Sequence, residues 1–543
     1  MTGDGTSASA RGERWAVATP HPLAADAAAR AFEAGGSAVD AALHAATTLA
    51  VVAPHQCGAG GDLFALVQNP DGKVVAIGSA GRAPSGVDAD RVRATFGPTM
   101  PDVGPASVTV PGAVRGWQAL HAQGAALPWS DAFEVAAAAA DGVPVSRDLA
   151  AALADGAEAL ASDRGAAEVF LAGGIPVEGD HLSQPALAAT LRAIADEGPD
   201  AIYAGSRTDL LVDGLRTAGV PITREDLANH TAELTPPLRG RYRDLDVLVT
   251  PPPSQGFVLL EALAAIERLA IDPDPEGPDV GTLARVVTAA SADRDRHLAD
   301  PDAMAIHVSA LLDDGHIGAI CDIVRSRGDT HGDGGVEARA AGTDAHDGGT
   351  GRVHGDTVAL VTADADGWGV SLVQSLYGGF GSGILEPSTG LLLHDRGGCF
   401  TLEAGHPNEL TPGKRPAHTL MPVLVHREGR PVVVTATRGG HAQPQIDLLT
   451  LVRTFDLRLD PEAALRAPRW LVGGMDPIPA EPWVLCEADL PDAAVDRLRD
   501  ESFRIEATPA LDGAVGHAML LTLDRGVLHA ASDPRSDGGA AAG

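Results

Sequence analysis

An α/β (α+β) chain with an aliphatic core, long enough for about two or three average domains or one large enzyme, is expected here on three grounds. Hydrophobic residues make up 45% of the 543 residues and aromatics only 3%, so the core must consist mostly of Ala, Val, Leu and Ile. Helical apolar periodicity fills long stretches, and paired strand patterns with turn residues between them interrupt it. A polar, glycine-rich stretch also ends abruptly where a core hairpin begins.

Residues 1–14 (MTGDGTSASARGER) have no apolar core and are expected to be a flexible tail rather than a signal peptide. A helix from about His21 to Ala34 should stop at Gly35-Gly36. A second should follow Ser37, an N-cap with Asp40 three residues on as in a capping box, and run to Pro54. Its small apolar residues lie nearly all round, so it should be buried. After the glycine-rich turn from His55 to Asp62, LFALVQ and KVVAIG flank NPDG as a β-hairpin. From about Pro111 to Ile320 the patterns are mainly helical, with GRYRDLDVLVTPPPSQG as a strand and loop. The stretch from about 326 to 355 is rich in Gly, Asp and His, cannot bury enough surface to order itself, and is expected to be a disordered linker. Its Asp and His residues match no metal-ligand motif. Directly after it, the residues from Asp356 to Ala363 should form a strand, Asp364 to Gly367 a turn, and WGVSLVQSL a second strand.

The 73 acidic and 40 basic residues give a formal charge of −33, with Lys73 and Lys414 the only lysines. Such a surface repels phosphate backbones and anionic lipid, so nucleic-acid and membrane roles are disfavoured. Cys57, Cys321, Cys399 and Cys486 form no CxxC pair and no zinc-ligand spacing. A reducing compartment fits, and a cytoplasmic location is expected. No run of apolar residues is long enough to cross a membrane as a helix.

The threonine at the linker–hairpin junction carries the chemistry. A threonine hydroxyl is a weak nucleophile that needs a nearby base. An α-amino group on the same residue, with an ordinary pKa near 8, is one such base. Thr357 acquires that amine only if the Asp356–Thr357 bond is cut. A flexible segment ending at Asp356 and a rigid strand beginning at Thr357 suit an N→O acyl shift there.

At these residues the chain resembles the γ-glutamyltransferase (glutathione hydrolase) family of N-terminal-nucleophile hydrolases. The resemblance runs from about Trp15 to Gly539, through ATPHPLAADAAARAFEAGGSAVDAALHAA, VVAPHQCGAGGDLFALV, GDTVALVTADADG, FGSGILEPSTGLLL, PGKRP, ATRGGHAQPQ and SDPRSDGGA. It implies an αββα sandwich made of two pieces of one proenzyme, residues 15–356 and 357–543, joined as a heterodimer, with a dimer of these as a further expectation. It implies no cofactor. Thr357 would be the nucleophile, Ser375 a hydroxyl bonded to it, and Gly439 and Gly440 the backbone donors of an oxyanion hole. Arg82, Tyr377, Arg396, His418 and Thr419 would contact substrate, Arg82 or Arg396 as a carboxylate clamp.

Several positions depart from the transferase pattern. Arg82 fits the carboxylate-binding position only with a shifted loop, since Ala80 stands there. Cys399 aligns with the acidic residue that holds the substrate α-amino group, and a thiol cannot replace that ion pair. Val358-Ala359 replaces a Thr-His, and Tyr377 an asparagine. These changes resemble the oxamate amidohydrolase-like branch. The leading expectation is therefore a self-cleaving threonine amidohydrolase acting on a small carboxylate-bearing amide. The alternatives are a true γ-glutamyl hydrolase or transferase, and an uncleaved homologue that serves as a binding protein.

Overall fold

The computed structural model describes residues 7–326 and 354–543. Two seven-stranded sheets lie face to face. In one, the strand order is Ser9–Gly12, Val527–Ser532, His517–Asp524, Arg430–Arg438, Val423–Arg427, Leu245–Val249, Leu238–Tyr242. In the other it is Gly539–Ala542, Trp15–Thr19, His354–Asp364, Gly369–Gly378, Asp62–Gln68, Val74–Ser79, Glu233–Thr235.

Strand alternation divides the core into three layers. Val358, Leu360, Val370 and Leu372 point outward into a helical layer that includes the helices Pro22–Glu33 and Ala38–Val52. Ala359, Val361, Ala363 and Val373 point inward, where they meet Leu424, Val434, Ala436, Met519 and Leu521 of the opposite sheet. The far face of that sheet packs on the helices Gly256–Leu269, Val280–His297 and Gln443–Phe455. The result is the expected αββα sandwich. Alanine is frequent between the sheets, as the near-absence of aromatics requires.

The helix Ala38–Val52 is buried along its whole length, and the Ser37–Asp40 capping box forms. The hairpin Asp62–Gln68/Val74–Ser79 also forms as expected. The stretch GRYRDLDVLV makes two strands rather than one, Leu238–Tyr242 and Leu245–Val249, paired through a tight turn at Arg243 with φ 55°.

Two expectations about chain order need comment. Most of the stretch expected as a linker falls outside the described residues, and its last two residues already belong to the strand His354–Asp364. The expected flexible tail is corrected for Ser9–Gly12, which pairs antiparallel with Val527–Ser532. That segment has no apolar pattern of its own. Its order comes from backbone bonds to the free edge of a sheet whose strands lie at the other end of the chain.

Candidate active site

Thr357 sits where two cross-strand pairings change register. Asp356 pairs with Tyr377 but Thr357 pairs with Ser375, so Leu376 is the extra residue of a β-bulge facing the Asp356–Thr357 bond. The bulge turns the Ser375 hydroxyl toward that bond. Its Oγ accepts the Thr357 hydroxyl at 3.0 Å and the Tyr377 N–H at 2.7 Å, and donates to the Asp356 carbonyl oxygen at 2.7 Å. One hydroxyl thus contacts both the Thr357 hydroxyl and the carbonyl beside it. The Asp356 carboxylate is held by Arg438 at 2.5 Å. It lies so close to Gly379 that a Cβ there would stand 2.7 Å from an Asp356 oxygen.

Gly439 and Gly440 end the neighbouring strand Arg430–Arg438 and start the 3-10 turn Gly440–Ala442, which packs against the strand carrying Thr357. The first N–H groups of such a turn have no partner inside it, and that of His441 goes to the Met475 carbonyl at 3.0 Å. Gly440 has φ 53°, a conformation that favours glycine. A Cβ on Gly439 would stand 2.4 Å from Ile446 Cδ1. The buried Gln255 fixes this turn by donating to the carbonyls of Gly440 (2.9 Å) and Thr419 (2.8 Å).

Arg396 forms the other wall. It is fully buried, its guanidinium lies 4.2 Å above the Tyr377 ring, and Nη1 donates to Thr419 Oγ1 at 3.0 Å and to Cys399 Sγ at 3.6 Å. Its Nε and Nη2 have no hydrogen-bond partner among the described residues. Tyr377 itself has φ 81°, strained for a side chain of its size, and its hydroxyl lies 3.5 Å from His441 Nε2. The contacts Thr357–Ser375–Tyr377–Arg396–Thr419–Gln255–Gly440 therefore form one continuous chain.

Two expected substrate contacts are differently used. His418 is fully buried, takes the Leu420 N–H on Nδ1 (3.3 Å) and lies 3.1 Å from Asp62 Oδ2 through Nε2. Burial, reinforced by Arg396, pushes its pKa down to about 3, so it stays neutral near pH 7. Arg82 is also corrected: it is 44% exposed and its Nη1 donates to the Gly413 carbonyl at 2.9 Å. The same guanidinium faces Asp300 at 3.4 Å and Glu233 at 3.7 Å, an ion cluster shared with Arg415.

Asp62 was not singled out in the sequence, yet it stands beside Ser375 in the next strand and faces inward with it. It receives the Gly81 N–H at 3.1 Å and has His394 Nδ1 at 3.4 Å. Burial opposes its ionisation, but His394, the His418 hydrogen bond and Arg396 outweigh it and hold the carboxyl down to about 2. The available signal was its place, an acidic residue ending a glycine-rich turn at the mouth of an apolar strand. Arg438 and Gln255 carried no such mark.

A family model described as gamma-glutamyltranspeptidase matches residues 24–543. The chain is 35% identical over 535 residues to an oxamate amidohydrolase proenzyme of Klebsiella pneumoniae, covering 96% of this chain and 97% of the relative. It is 32% identical over 541 residues to a glutathione hydrolase-like proenzyme of Bacillus subtilis, covering 97% and 98%. Among solved structures, a cephalosporin acylase from Bacillus halodurans superposes with a TM-score of 0.88 at 30% identity, covering 98% of this chain and 97% of that one.

Proposed function

Since the chain belongs to the γ-glutamyltranspeptidase family, we propose that it is a proenzyme that cuts its own Asp356–Thr357 bond and then hydrolyses a small carboxylate-bearing amide through an acyl-enzyme on Thr357. The Ser375 hydroxyl, bonded to both the Thr357 hydroxyl and the Asp356 carbonyl oxygen, is the observation that carries this reading.

In the cut, Thr357 Oγ adds to the Asp356 carbonyl carbon. The oxygen that gains charge is already within hydrogen-bond reach of Ser375 Oγ–H. Collapse breaks the C–N bond, the departing nitrogen takes up the proton lost by Thr357 Oγ, and Asp356 is left as an ester on Thr357, which water hydrolyses. The freed α-amino group then serves as base for the same hydroxyl. In turnover, Thr357 Oγ attacks the substrate amide carbon, the Gly439 and Gly440 N–H groups receive the oxyanion, and the amine or ammonia leaves with a proton from the Thr357 ammonium. Water, deprotonated by the α-amine, releases the acid.

Arg396 selects the substrate. A guanidinium buried with two nitrogens lacking hydrogen bonds suits a carboxylate, which it binds through paired N–H···O bonds. Position 399, which would need a carboxylate to hold a γ-glutamyl α-ammonium group, presents a thiol touching Arg396. The name of the Klebsiella relative points the same way. Processed protein offered oxamate, glutathione and a γ-glutamyl anilide distinguishes the readings. Ammonia from oxamate with little anilide release is expected; rapid anilide release with oxamate untouched would overturn the substrate assignment.

A further inference from the structure

Away from this site, three helices of the far layer converge on a second cluster. Glu261 lies on Gly256–Leu269, Asp293 on Val280–His297, and His316 near the start of Asp314–Arg325. One ligand atom from each of the three lies within 4.8 Å of the others. His316 Nε2 is 2.7 Å from Asp293 Oδ2 and 3.7 Å from Glu261 Oε1. His297, four residues after Asp293 on the same helix face, brings its Nε2 to 4.0 Å from Asp293 Oδ1.

Glu261 is the telling member. It is fully buried, and neither of its carboxylate oxygens has a hydrogen-bond partner among the described residues. A carboxylate withdrawn from water in this way is tolerated when a cation meets it. The oxygens face a histidine and a second carboxylate rather than an arginine or lysine. Exposure rises from Glu261 (0%) through Asp293 (11%) to His316 (26%), so the cluster is closed at its base and reachable from outside.

We propose that Glu261, Asp293 and His316 bind a divalent first-row transition cation, zinc or manganese, with His297 adjoining. One imidazole and two carboxylates are a borderline donor set that suits these ions better than calcium or magnesium, which take oxygen ligands. Binding would open the His316–Asp293 contact slightly, replacing one hydrogen bond with two metal bonds. The ion would clip the three helices together. The same helices support the catalytic turn: Gln255 directly precedes the first, and Arg294 of the second donates to the His441 carbonyl at 3.0 Å. Asp314–Arg325 is also the last described helix before residue 327.

The test uses untagged full-length protein stripped with a chelator, re-equilibrated with zinc, manganese, calcium or magnesium, and desalted. About one zinc or manganese ion per chain is expected to remain and to raise the melting temperature, with no retention of calcium or magnesium. Glu261→Gln keeps the shape and removes the buried charge, and His316→Ala removes the nitrogen ligand; each should stay folded by circular dichroism and lose both the bound ion and the thermal shift. Absence of any retained ion in the wild type would overturn the site, as would full retention in both folded variants.

Discussion

The Ser375 hydroxyl makes two contacts, and its removal should separate their effect from that of the Thr357 hydroxyl. Ser375→Ala keeps Thr357 but takes away the donor to the Asp356 carbonyl, so self-cleavage should slow by roughly 10²–10³-fold. The rate at which two fragments replace one band on a denaturing gel measures this; cleavage at the wild-type rate would remove Ser375 from the mechanism. Arg396→Met should raise KM for a carboxylate-bearing amide by roughly 10²-fold and change kcat much less, while leaving thermal stability unchanged or higher. An unaltered KM would show that the carboxylate is held elsewhere. The placement of Ser375 beside Thr357 was legible in the sequence because paired strands bring their geometry with them. Arg82 and His418 were not, because the partners of a side chain are decided by loops distant in sequence: Asp300 and Gly413 in one case, Asp62 in the other.

Elements position the site through close backbone approach. The glycine-rich turn before Asp62 runs against the strand Gly369–Gly378 so tightly that a Cβ on Gly61 would stand 2.4 Å from the Ser375 carbonyl oxygen. Gly61→Ala should therefore displace Ser375 and impair cleavage far more than Gly58→Ala, whose nearest neighbour would be 3.9 Å away. Equal cleavage by the two variants would contradict this account of the turn. The helix Ala38–Val52 is fixed at its start by Asp40, which besides its capping box accepts the N–H groups of Ala126 (2.8 Å) and Leu127 (2.9 Å). Asp40→Ala should cost about 3 kcal/mol by chemical denaturation, against about 1 for the exposed N-cap variant Asp88→Ala, because three backbone N–H groups lose a buried acceptor in the first and one loses an exposed acceptor in the second. Local signals of this kind are why the helices and hairpins were readable. Ser9–Gly12 was not, since an edge strand with a mixed polar sequence is specified by its neighbour.

The whole molecule couples pH to stability through buried imidazoles. Burial is the main cause that lowers His21 and His230 to about 4 and His55 and His418 to about 3. Unfolded, each binds a proton near pH 6.5, so between about 4 and 6.5 the unfolded chain holds more protons and stability must fall as pH falls. Each contributes a slope approaching about 1.4 kcal/mol per pH unit below 6.5. The buried Glu261 and Asp447 carboxyls, pushed well above the usual carboxylate range by burial, take up protons in the folded state and oppose this in part, but the lowered histidines outnumber them. Denaturation midpoints should therefore drop from pH 7 to 5.5; a flat profile would mean these histidines are solvated.

The sandwich is also interleaved. Both sheets combine strands from before and after the Asp356–Thr357 bond, and His354–Asp364, which contains that bond, lies between Trp15–Thr19 and Gly369–Gly378. Cleaved fragments should remain together through gel filtration until denatured, and separation under native conditions would be inconsistent with this topology. The αββα architecture was legible only through resemblance, because the pairing of strands hundreds of residues apart leaves no local trace.

N-terminal sequencing of catalytically active protein tests the central claim most directly. Alongside the original N-terminus, a second chain should begin at Thr357 with TVALVT, and Thr357→Ala protein should yield the original terminus alone with no amide hydrolysis. Turnover by a preparation in which every chain is intact would contradict it, as would cleavage of Thr357→Ala at the same bond.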